Sequence, residues 1–303
     1  MSDTADTVVA PLARFAAHVR AAGLPPKVDE RAQRLVQICL TSGARSATTA
    51  EGKQLHAIAA SLDDLSPGLA LDGIVFGSLP NLSRSGAVAV NAGLLTADGA
   101  DASREQTAPP LLSSVFPACV AAAHLGARDG AAVLSALAVA MEIGLRLANA
   151  LEESRPGAGW ATGSLPGCVA AAVATVCVLG GDDKAFHQAI TLGATQAAGL
   201  AHPHTSVVGA FVTGEIASHG FESGVLAMGG WDGPARPLDG SRGFFQLFTG
   251  GPAIPAIHND LGTTWVLLGS EGVASEGQPE RRRPLDALGS ADFSRLMHGN
   301  RHT

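Results

Sequence analysis

The stretch VFPACVAAAHLGARDGAAVLSALAVAMEIGLRLANAL, residues 115–151, decides the fold class of this chain. Its apolar residues are mostly alanine, valine and leucine, and they recur at helical spacing rather than alternating. The run GARDG divides the stretch, which predicts one helix over residues 111–125 and a second over residues 130–152. On the second helix, Glu142 and Arg146 lie four residues apart, which predicts an ion pair that is either exposed or buried and satisfied.

The same pattern extends to both sides of this stretch. It predicts helices over residues 8–22, 28–40, 50–62 and 85–95 before it, and over residues 165–179, 182–200 and 207–228 after it, with Asp182 as an N-cap. Residues 65–82 are rich in Gly, Pro and Ser and are expected to form a loop, and the chain after Gly229 is expected to be an irregular connection. Because neither sustained alternation nor a repeat is present, we expect an all-α fold.

Composition limits the domain organisation and the partners. We expect one helical domain over residues 1–269 and a polar, poorly ordered tail over residues 270–303. A net charge of −7 argues against nucleic acid. The longest apolar stretch, residues 165–181, is shorter than the roughly 20 residues that span a bilayer, and the acidic N-terminus does not resemble a secretory signal. We therefore expect a cytoplasmic protein with no membrane partner.

The four cysteines are scattered in apolar segments without C-x-x-C spacing, which favours buried thiols over a metal site or a disulfide framework; they are Cys39, Cys119, Cys168 and Cys177. The sequence contains no Gly-rich phosphate or dinucleotide loop, so no redox cofactor is predicted.

Six stretches resemble the MmgE/PrpD family in the same order and at nearly the same spacing, so the match covers roughly residues 11–268. They are LPPKVDERAQRLV (24–36), AVAVNAGLL (87–95), the stretch at 115–151, ATGSLPGCVAAAVATVCVLGG (161–181), AITLGATQAAGL (189–200), and LDGSRGFFQLFTGG with NDLGTTW (238–251 and 259–265). The family includes 2-methylcitrate dehydratase, aconitate decarboxylase and iminodisuccinate epimerase. The resemblance implies an all-α core domain and a homodimer.

Family members hold a polyanionic substrate between this core and an α+β lid domain, and remove a proton next to a carboxylate. This chemistry needs a base at the C–H bond and cationic or hydrogen-bonding groups where negative charge develops. We expect this chain to lack the lid, since a polar tail stands where the family begins its second domain. Truncation of an ordinary family member would not explain this sequence, because catalytic positions of the family far upstream of the tail are also replaced.

This chain departs from the family at four places where acids, histidines or a lysine are expected. It has Ala102, Pro109 with Pro110, Trp160 with Ala161, and the run Gly209, Ala210, Val212 and Gly214. Asp101 matches one acid of the family's pair, and Asn91 matches its asparagine. A pocket with so few cations is not expected to hold a trianion.

The candidate catalytic residues are those that could still transfer a proton. His202 and His204 could act as general bases near neutral pH, or be solvated loop residues. Their i, i+2 spacing with no nearby third ligand predicts no metal site. Asp101 could act as an acid or base with Arg104 as an anion anchor, although the two could equally form a surface ion pair.

The candidate substrate-binding residues are Asn91, Arg104, Thr162, Ser164 and Gln196. The amides of Asn91 and Gln196 could bind substrate or form buried hydrogen bonds between helices. Thr162 and Ser164 could offer hydroxyls to a ligand, or cap a helix.

Two functional hypotheses follow from these residues. The first is a cofactor-independent lyase, isomerase or cyclase that acts by proton transfer on a relatively large, weakly charged biosynthetic intermediate. Its reaction would be an elimination, a double-bond isomerisation, an epimerisation or a cyclisation. The second is a catalytically inactive family member that serves as a dimeric binding or scaffold protein. A cavity filled by Trp160 or Phe211 would favour the second hypothesis.

Overall fold

The structure is a computed structural model that describes residues 8–65, 68, 70–77, 79–98, 111–154, 163–198, 207–252 and 255–272, with the backbone alone at 164, 207 and 270–272. The helices in these ranges are α1 (Val9–Ala22), α2 (Pro26–Ser46), α3 (Ala50–Asp63), α4 (Arg84–Ala97), α5 (Leu111–Gly126), α6 (Gly130–Ser154), α7 (Ser164–Leu179), α8 (Asp183–Gln196), α9 (Val207–Met228) and α10 (Phe244–Thr249). Two 3₁₀ helices follow, Pro255–Ile257 and Val266–Gly272. The described part of the chain contains no β-strand, so the all-α prediction is confirmed.

Helix α7 forms the centre of the bundle because it is apolar on every side. Its residues from Val169 to Ala174 have no exposed surface, as expected of a helix that is hydrophobic all round. It packs against α5, α6, α8 and α9. The remaining helices form an outer layer, in which α3 covers α4, α1 covers α8 and α6, and α2 covers α6 and α4.

Two glycines allow α9 to pack closely against its neighbours. A β-carbon at Gly214 would lie 2.5 Å from the carbonyl oxygen of Ala89 on α4, and one at Gly220 would lie 2.5 Å from the carbonyl oxygen of Cys168 on α7. Glycine is unfavourable in an isolated helix. Here the close backbone approach of three helices requires it, so tertiary packing outweighs local propensity.

Some predicted boundaries were wrong. Helix α2 continues to Ser46 instead of ending near residue 40. Helix α8 ends at Gln196 rather than at residue 200, because Ala197 is extended, with ψ of 114°. The connection after Gly229 is not wholly irregular, since it contains α10 and the two 3₁₀ helices. The predicted N-cap is confirmed: the Asp182 carboxylate accepts a hydrogen bond from the Ala185 N–H at 2.9 Å.

Burial decides between the alternatives that the sequence left open for the Glu142–Arg146 pair and for the cysteines. Glu142 and Arg146 form the buried form of the predicted pair, with side-chain exposures of 0% and 5%. All four cysteines are buried thiols, as predicted.

Helix α6 is the one described helix that is long and apolar enough to cross a membrane, and 78% of its most apolar window is buried inside the bundle. Of the predicted tail, residues 270–272 belong to the last 3₁₀ helix, and residues 273–303 lie outside the described residues.

Candidate functional site

The short connections of the central helices lie at one end of the bundle. Residues 127–129 join α5 to α6, and residues 180–182 join α7 to α8. Such short connections make neighbouring helices antiparallel. The Arg128 guanidinium donates a hydrogen bond to the Leu179 carbonyl at 3.2 Å, which joins these two turns. The C-termini of α6 and α8 and the N-termini of α5 and α7 are therefore directed toward the opposite end.

Close contacts confirm that α5 and α7 run in parallel. A β-carbon at Gly167, near the start of α7, would lie 3.1 Å from the Ser114 hydroxyl near the start of α5. At the other end of the pair, a β-carbon at Gly126 would lie 2.9 Å from the Leu179 side chain. Their N-termini are therefore adjacent.

Helices α4 and α9 bring two further ends to the same place. They are antiparallel, since a β-carbon at Gly93 would lie 3.2 Å from the Ala210 carbonyl oxygen, while the Ser218 hydroxyl donates to the Ser85 carbonyl at 3.3 Å. Helix α9 also runs parallel to α7, which it contacts through Gly220. The C-terminus of α4 and the N-terminus of α9 thus lie together, at the end where α5 and α7 begin.

Six helix ends therefore converge at one end of the bundle, which we call the convergent end. It comprises the C-termini of α4, α6 and α8 and the N-termini of α5, α7 and α9. The segments that join these ends are residues 99–110, 155–162 and 199–206, and they lie outside the described residues. The predicted site residues Asp101, Arg104, Thr162, His202 and His204 belong to them.

An ion pair anchors the C-terminus of α4, from which the segment with Asp101 departs. The Arg45 guanidinium on α2 donates two hydrogen bonds to the carboxylate of Asp98, and its Nε lies 2.7 Å from Oδ1. These bonds from Arg45 hold the pKa of Asp98 below its ordinary value. Sequence reasoning missed this pair, because its members lie 53 residues apart with no shared pattern.

Asn91 is buried, and its amide is engaged by a loop. Its Oδ1 accepts a hydrogen bond from the Phe76 N–H at 2.9 Å, and its Nδ2 donates to the Ile74 carbonyl at 2.8 Å. Its side chain thus fixes the loop before α4, whereas the predicted alternative was a bond between helices. None of these bonds reaches another predicted site residue.

Gln196 and Ser164 are at the convergent end, as the last residue of α8 and the first residue of α7. Gln196 is exposed. The N-cap of α7 is Gly163, without a side-chain cap bond, so Ser164 does not occupy the cap position that the sequence suggested as its alternative role.

The positions at which the resemblance places the family's basic run lie at the start of α9, and they contact α4 closely. The Ala210 carbonyl faces Gly93, and Gly214 faces the Ala89 carbonyl. Any side chain at position 214 would meet the α4 backbone, so the packing of α9 on α4 requires glycine there. Within the described ranges, no three His, Cys, Asp or Glu residues are grouped to hold a metal ion.

Comparisons with known proteins agree with this architecture. The family model described as the MmgE/PrpD N-terminal domain matches residues 10–256. The chain is 28% identical over 261 residues to the cis-aconitate decarboxylase of Aspergillus terreus, an alignment that covers 82% of this chain and 52% of the relative. It thus spans about half the length of the curated relative that it matches. The family model matches well over half of the chain, in a helical domain, and the chain belongs to the MmgE/PrpD family.

Proposed function

We propose that this protein is a divergent MmgE/PrpD lyase or isomerase that transfers a proton on a relatively large, weakly charged biosynthetic intermediate. The reaction class is elimination, double-bond isomerisation, epimerisation or cyclisation. His202, His204 and Asp101 are the proposed acid and base groups, and Asn91, Arg104, Thr162, Ser164 and Gln196 are the proposed binding residues.

The observation that carries this proposal is the convergence of six helix ends on one end of the bundle. The helix ends that flank the segments holding Asp101, His202 and His204 belong to this set, which supports a shared site for residues that are distant in the sequence. A base and an acid anchored on rigid helix ends can be held against one substrate. A histidine suits this role because its ordinary pKa lies close to neutral pH.

Two features support a weakly charged substrate. Ala102, Pro109 and Trp160 stand where the family carries charged or titratable groups. At the start of α9, Gly209, Ala210 and Val212 stand where the resemblance places a lysine and other basic groups. Because a trianion needs several cations to compensate its desolvation, an uncharged or singly charged substrate fits this site better.

The assembly and location are also proposals. We propose a homodimer in the cytoplasm, acting on a small molecule without a cofactor and without nucleic-acid or membrane partners. The family resemblance supports the dimer. The net charge of −7 and the burial of α6 support the absence of nucleic acid and of a membrane.

A second candidate function is an inactive family member that binds a ligand or partner. The hydrogen bonds of Asn91 favour it, because an amide fully engaged by the loop at Ile74 and Phe76 is not free to bind substrate. Phe211, a possible filler of the central cavity, instead lies in a groove on the flank of the bundle. Trp160, the other possible filler, lies outside the described residues.

Solvent deuterium exchange separates the two functions. Candidate substrates with an acidic C–H bond are incubated with the protein in D₂O, and deuterium incorporation is followed by NMR. An enzyme that removes this proton reversibly incorporates deuterium into the substrate, and one that completes the later step converts the substrate to product. We expect His202→Ala with His204→Ala to abolish exchange without lowering the melting temperature, while His18→Ala on the exposed face of α1 leaves it unchanged. Ligand binding with neither exchange nor product formation would instead support the inactive member.

A further inference from the structure

A groove on the flank of the bundle is formed by three helices. We call it the flank groove: its floor is α4 at Ala89, and its walls are α3 up to Leu62 and α9 from Phe211 to Leu226. Helices α3 and α9 both pack on α4 and have few contacts with each other, which leaves the trough between them. Its volume is about 750 Å³. At 1.5 Å per helical residue, the α9 wall is about 22 Å long.

Both walls of the flank groove expose large apolar side chains. Leu62 on α3 is 51% exposed, and Val225 and Leu226 on α9 are 37% and 38% exposed. Leu125, at the end of α5, lines the same groove and is 38% exposed. Apolar side chains exposed side by side on a folded domain mark a surface where another element docks.

Two of the charged residues that line the groove are already compensated within the chain. The Asp63 carboxylate accepts hydrogen bonds from the N–H and the hydroxyl of Ser83, both at 2.7 Å. Arg84 forms an ion pair with Asp72. Neither Asp63 nor Arg84 therefore selects the charge of an occupant.

The remaining charge of the groove is negative and lies on α9. Glu215 and Glu222 both line the groove, and seven helical residues place them about 10 Å apart along the helix axis. Glu215 has only His219 near it, at 3.9 Å. Glu222 is exposed and forms no ion pair with the described part of the chain. An occupant with basic groups beside an apolar surface complements this wall.

The walls also determine the backbone conformation that an occupant needs. They are α-helices, whose own N–H and C=O groups are bonded within each helix. An extended peptide against such walls would leave its buried backbone groups without partners, which is unfavourable. A helix satisfies its backbone internally, and an amphipathic helix laid in an apolar groove is a common mode of recognition.

The size of the groove agrees with a helix of which one face is buried. An occupant that follows the α9 wall for about 22 Å has about 15 residues. Such a helix with its side chains, about 10 Å across, occupies roughly 1,700 Å³. The groove volume of about 750 Å³ is less than half of this. One face of the helix would be buried while the other remains in solvent, as amphipathic sequences require.

We propose that the flank groove binds an amphipathic helix of a partner protein. Its apolar face packs on α4 and between Leu62 and Leu226, and its basic residues lie beside Glu215 and Glu222. This binding is independent of the proposed catalytic function, since none of the proposed catalytic or substrate-binding residues lines the groove.

The charge of the groove argues against a second copy of this chain as its occupant. In a symmetric dimer the same surface of both subunits meets. Glu215 and Glu222 of one copy would then approach the same two residues of the other. Like charges brought together at an interface are unfavourable, whereas a basic partner is attracted by them.

Fluorescence anisotropy on the full-length protein tests the proposal. The probe is a fluorescein-labelled peptide of about 15 residues, made of leucine and lysine, with leucines at i, i+3, i+4 and i+7. We expect it to bind with one peptide per chain, and more weakly as ionic strength rises. A peptide of the same composition in scrambled order, and one with glutamate in place of lysine, should each bind roughly tenfold or more weakly.

Paired variants locate the binding site. Glu215→Gln with Glu222→Gln should raise the Kd of the probe by roughly tenfold or more. Glu30→Gln with Glu152→Gln, which removes the same charge from exposed positions on α2 and α6, should leave it unchanged.

The apolar contact is tested separately. Leu62→Ser should weaken binding, while Leu247→Ser, at an exposed position on α10, should not. Circular dichroism checks that each variant is folded.

Several results would overturn the proposal. These are no binding of the probe, equal binding of the scrambled peptide, or equal effects of the groove variants and their controls. Sedimentation of the unaltered chain as a dimer that Leu62→Ser dissociates would assign the groove to a second copy. Binding to phosphatidylcholine vesicles that Leu62→Ser abolishes would assign it to a lipid surface.

Discussion

Glu142 and Arg146 form an ion pair within α6 that is buried by the end of the described chain. The Arg146 Nε donates to Glu142 Oε1 at 2.7 Å. The same carboxylate accepts hydrogen bonds from the Val266 N–H at 3.1 Å and from the Leu267 N–H at 2.9 Å. The Glu142 carboxylate therefore accepts hydrogen bonds both from Arg146 on the same helix and from two backbone N–H groups in the first turn of the last 3₁₀ helix.

Arg146 completes this arrangement from the other side. Its Nη1 donates to the Asn259 carbonyl at 2.5 Å, and its Nη2 donates to the Thr264 carbonyl at 2.8 Å. Between them, the two side chains hold four backbone groups of residues 259–267 against α6. A buried charge pair is tolerated only when its remaining donors and acceptors are satisfied, and here the chain backbone supplies the partners.

We therefore predict that Glu142→Ala is strongly destabilising. It leaves the Arg146 charge buried without a counter-ion and two backbone N–H groups without an acceptor, a defect that costs about 3–5 kcal/mol. Chemical denaturation measures the change in the free energy of unfolding. Glu152→Ala, on the exposed surface of the same helix, is the control and should change it by less than about 0.5 kcal/mol. Equal effects of the two substitutions would contradict the role given to the buried pair.

The loop before α4 should depend on Asn91. Asn91→Leu removes the acceptor for the Phe76 N–H and the donor for the Ile74 carbonyl, and we expect a loss of about 2–4 kcal/mol from the two unsatisfied buried groups. Asn149→Leu, at an exposed position of α6, is the matched control. If Asn91→Leu altered substrate affinity with unchanged stability, the amide would be a binding group and its structural role would be wrong.

The contact between α4 and α9 should not tolerate a side chain at position 214. In Gly214→Ala the new β-carbon would lie 2.5 Å from the Ala89 carbonyl oxygen, so the helices must separate. Overpacking of this kind costs about 1–3 kcal/mol, more than alanine gains in helix propensity. Gly251→Ala, where a β-carbon meets open space, serves as the control. Thermal unfolding should show a lower melting temperature for the first variant only.

The buried thiols should make the protein sensitive to alkali. Desolvation raises the pKa of Cys168 and of Cys177 from 9.0 to about 12. Well below pH 9 both thiols are neutral in the folded and the unfolded chain. Above it the unfolded chain loses protons that the folded chain retains, so the free energy of unfolding falls as pH rises toward 12. The slope is up to about 1.4 kcal/mol per pH unit for each thiol.

Thiol substitution checks this prediction. The double variant Cys168→Ala with Cys177→Ala should lose less stability between pH 9 and 10.5 than the unaltered chain does. Thiol reagents at pH 8 should label these cysteines only after unfolding, since the thiolate is the reactive form. Rapid labelling of the folded protein would show that the thiols are accessible.

The last prediction concerns the reactions of relatives. We expect the purified protein neither to dehydrate 2-methylcitrate nor to decarboxylate cis-aconitate, because most groups that would stabilise carboxylate charge are replaced, among them at Gly209 and Ala210. Product formation is followed by mass spectrometry, with an active family member as the positive control. Turnover of either acid would show that the replaced side chains are dispensable.

The sequence by itself determined the helical class, the position of most helices and the family. The physical reason is that apolar periodicity and capping act within a few residues, so the spacing in residues 115–151 and the side chain of Asp182 carry their own signal. The same local information placed the candidate groups Asp101, His202 and His204 on connecting segments. It could not place them relative to one another.

Only the tertiary structure decided which distant groups meet. The partners of Glu142 and Arg146 lie more than a hundred residues away, Asn91 serves a loop rather than a neighbouring helix, and Gly214 is required by the backbone of another helix. The convergence of six helix ends likewise depends on how α4, α7 and α9 pack. These relationships arise from long-range contacts that leave no pattern along the chain, because burial and close packing are properties of the assembled bundle.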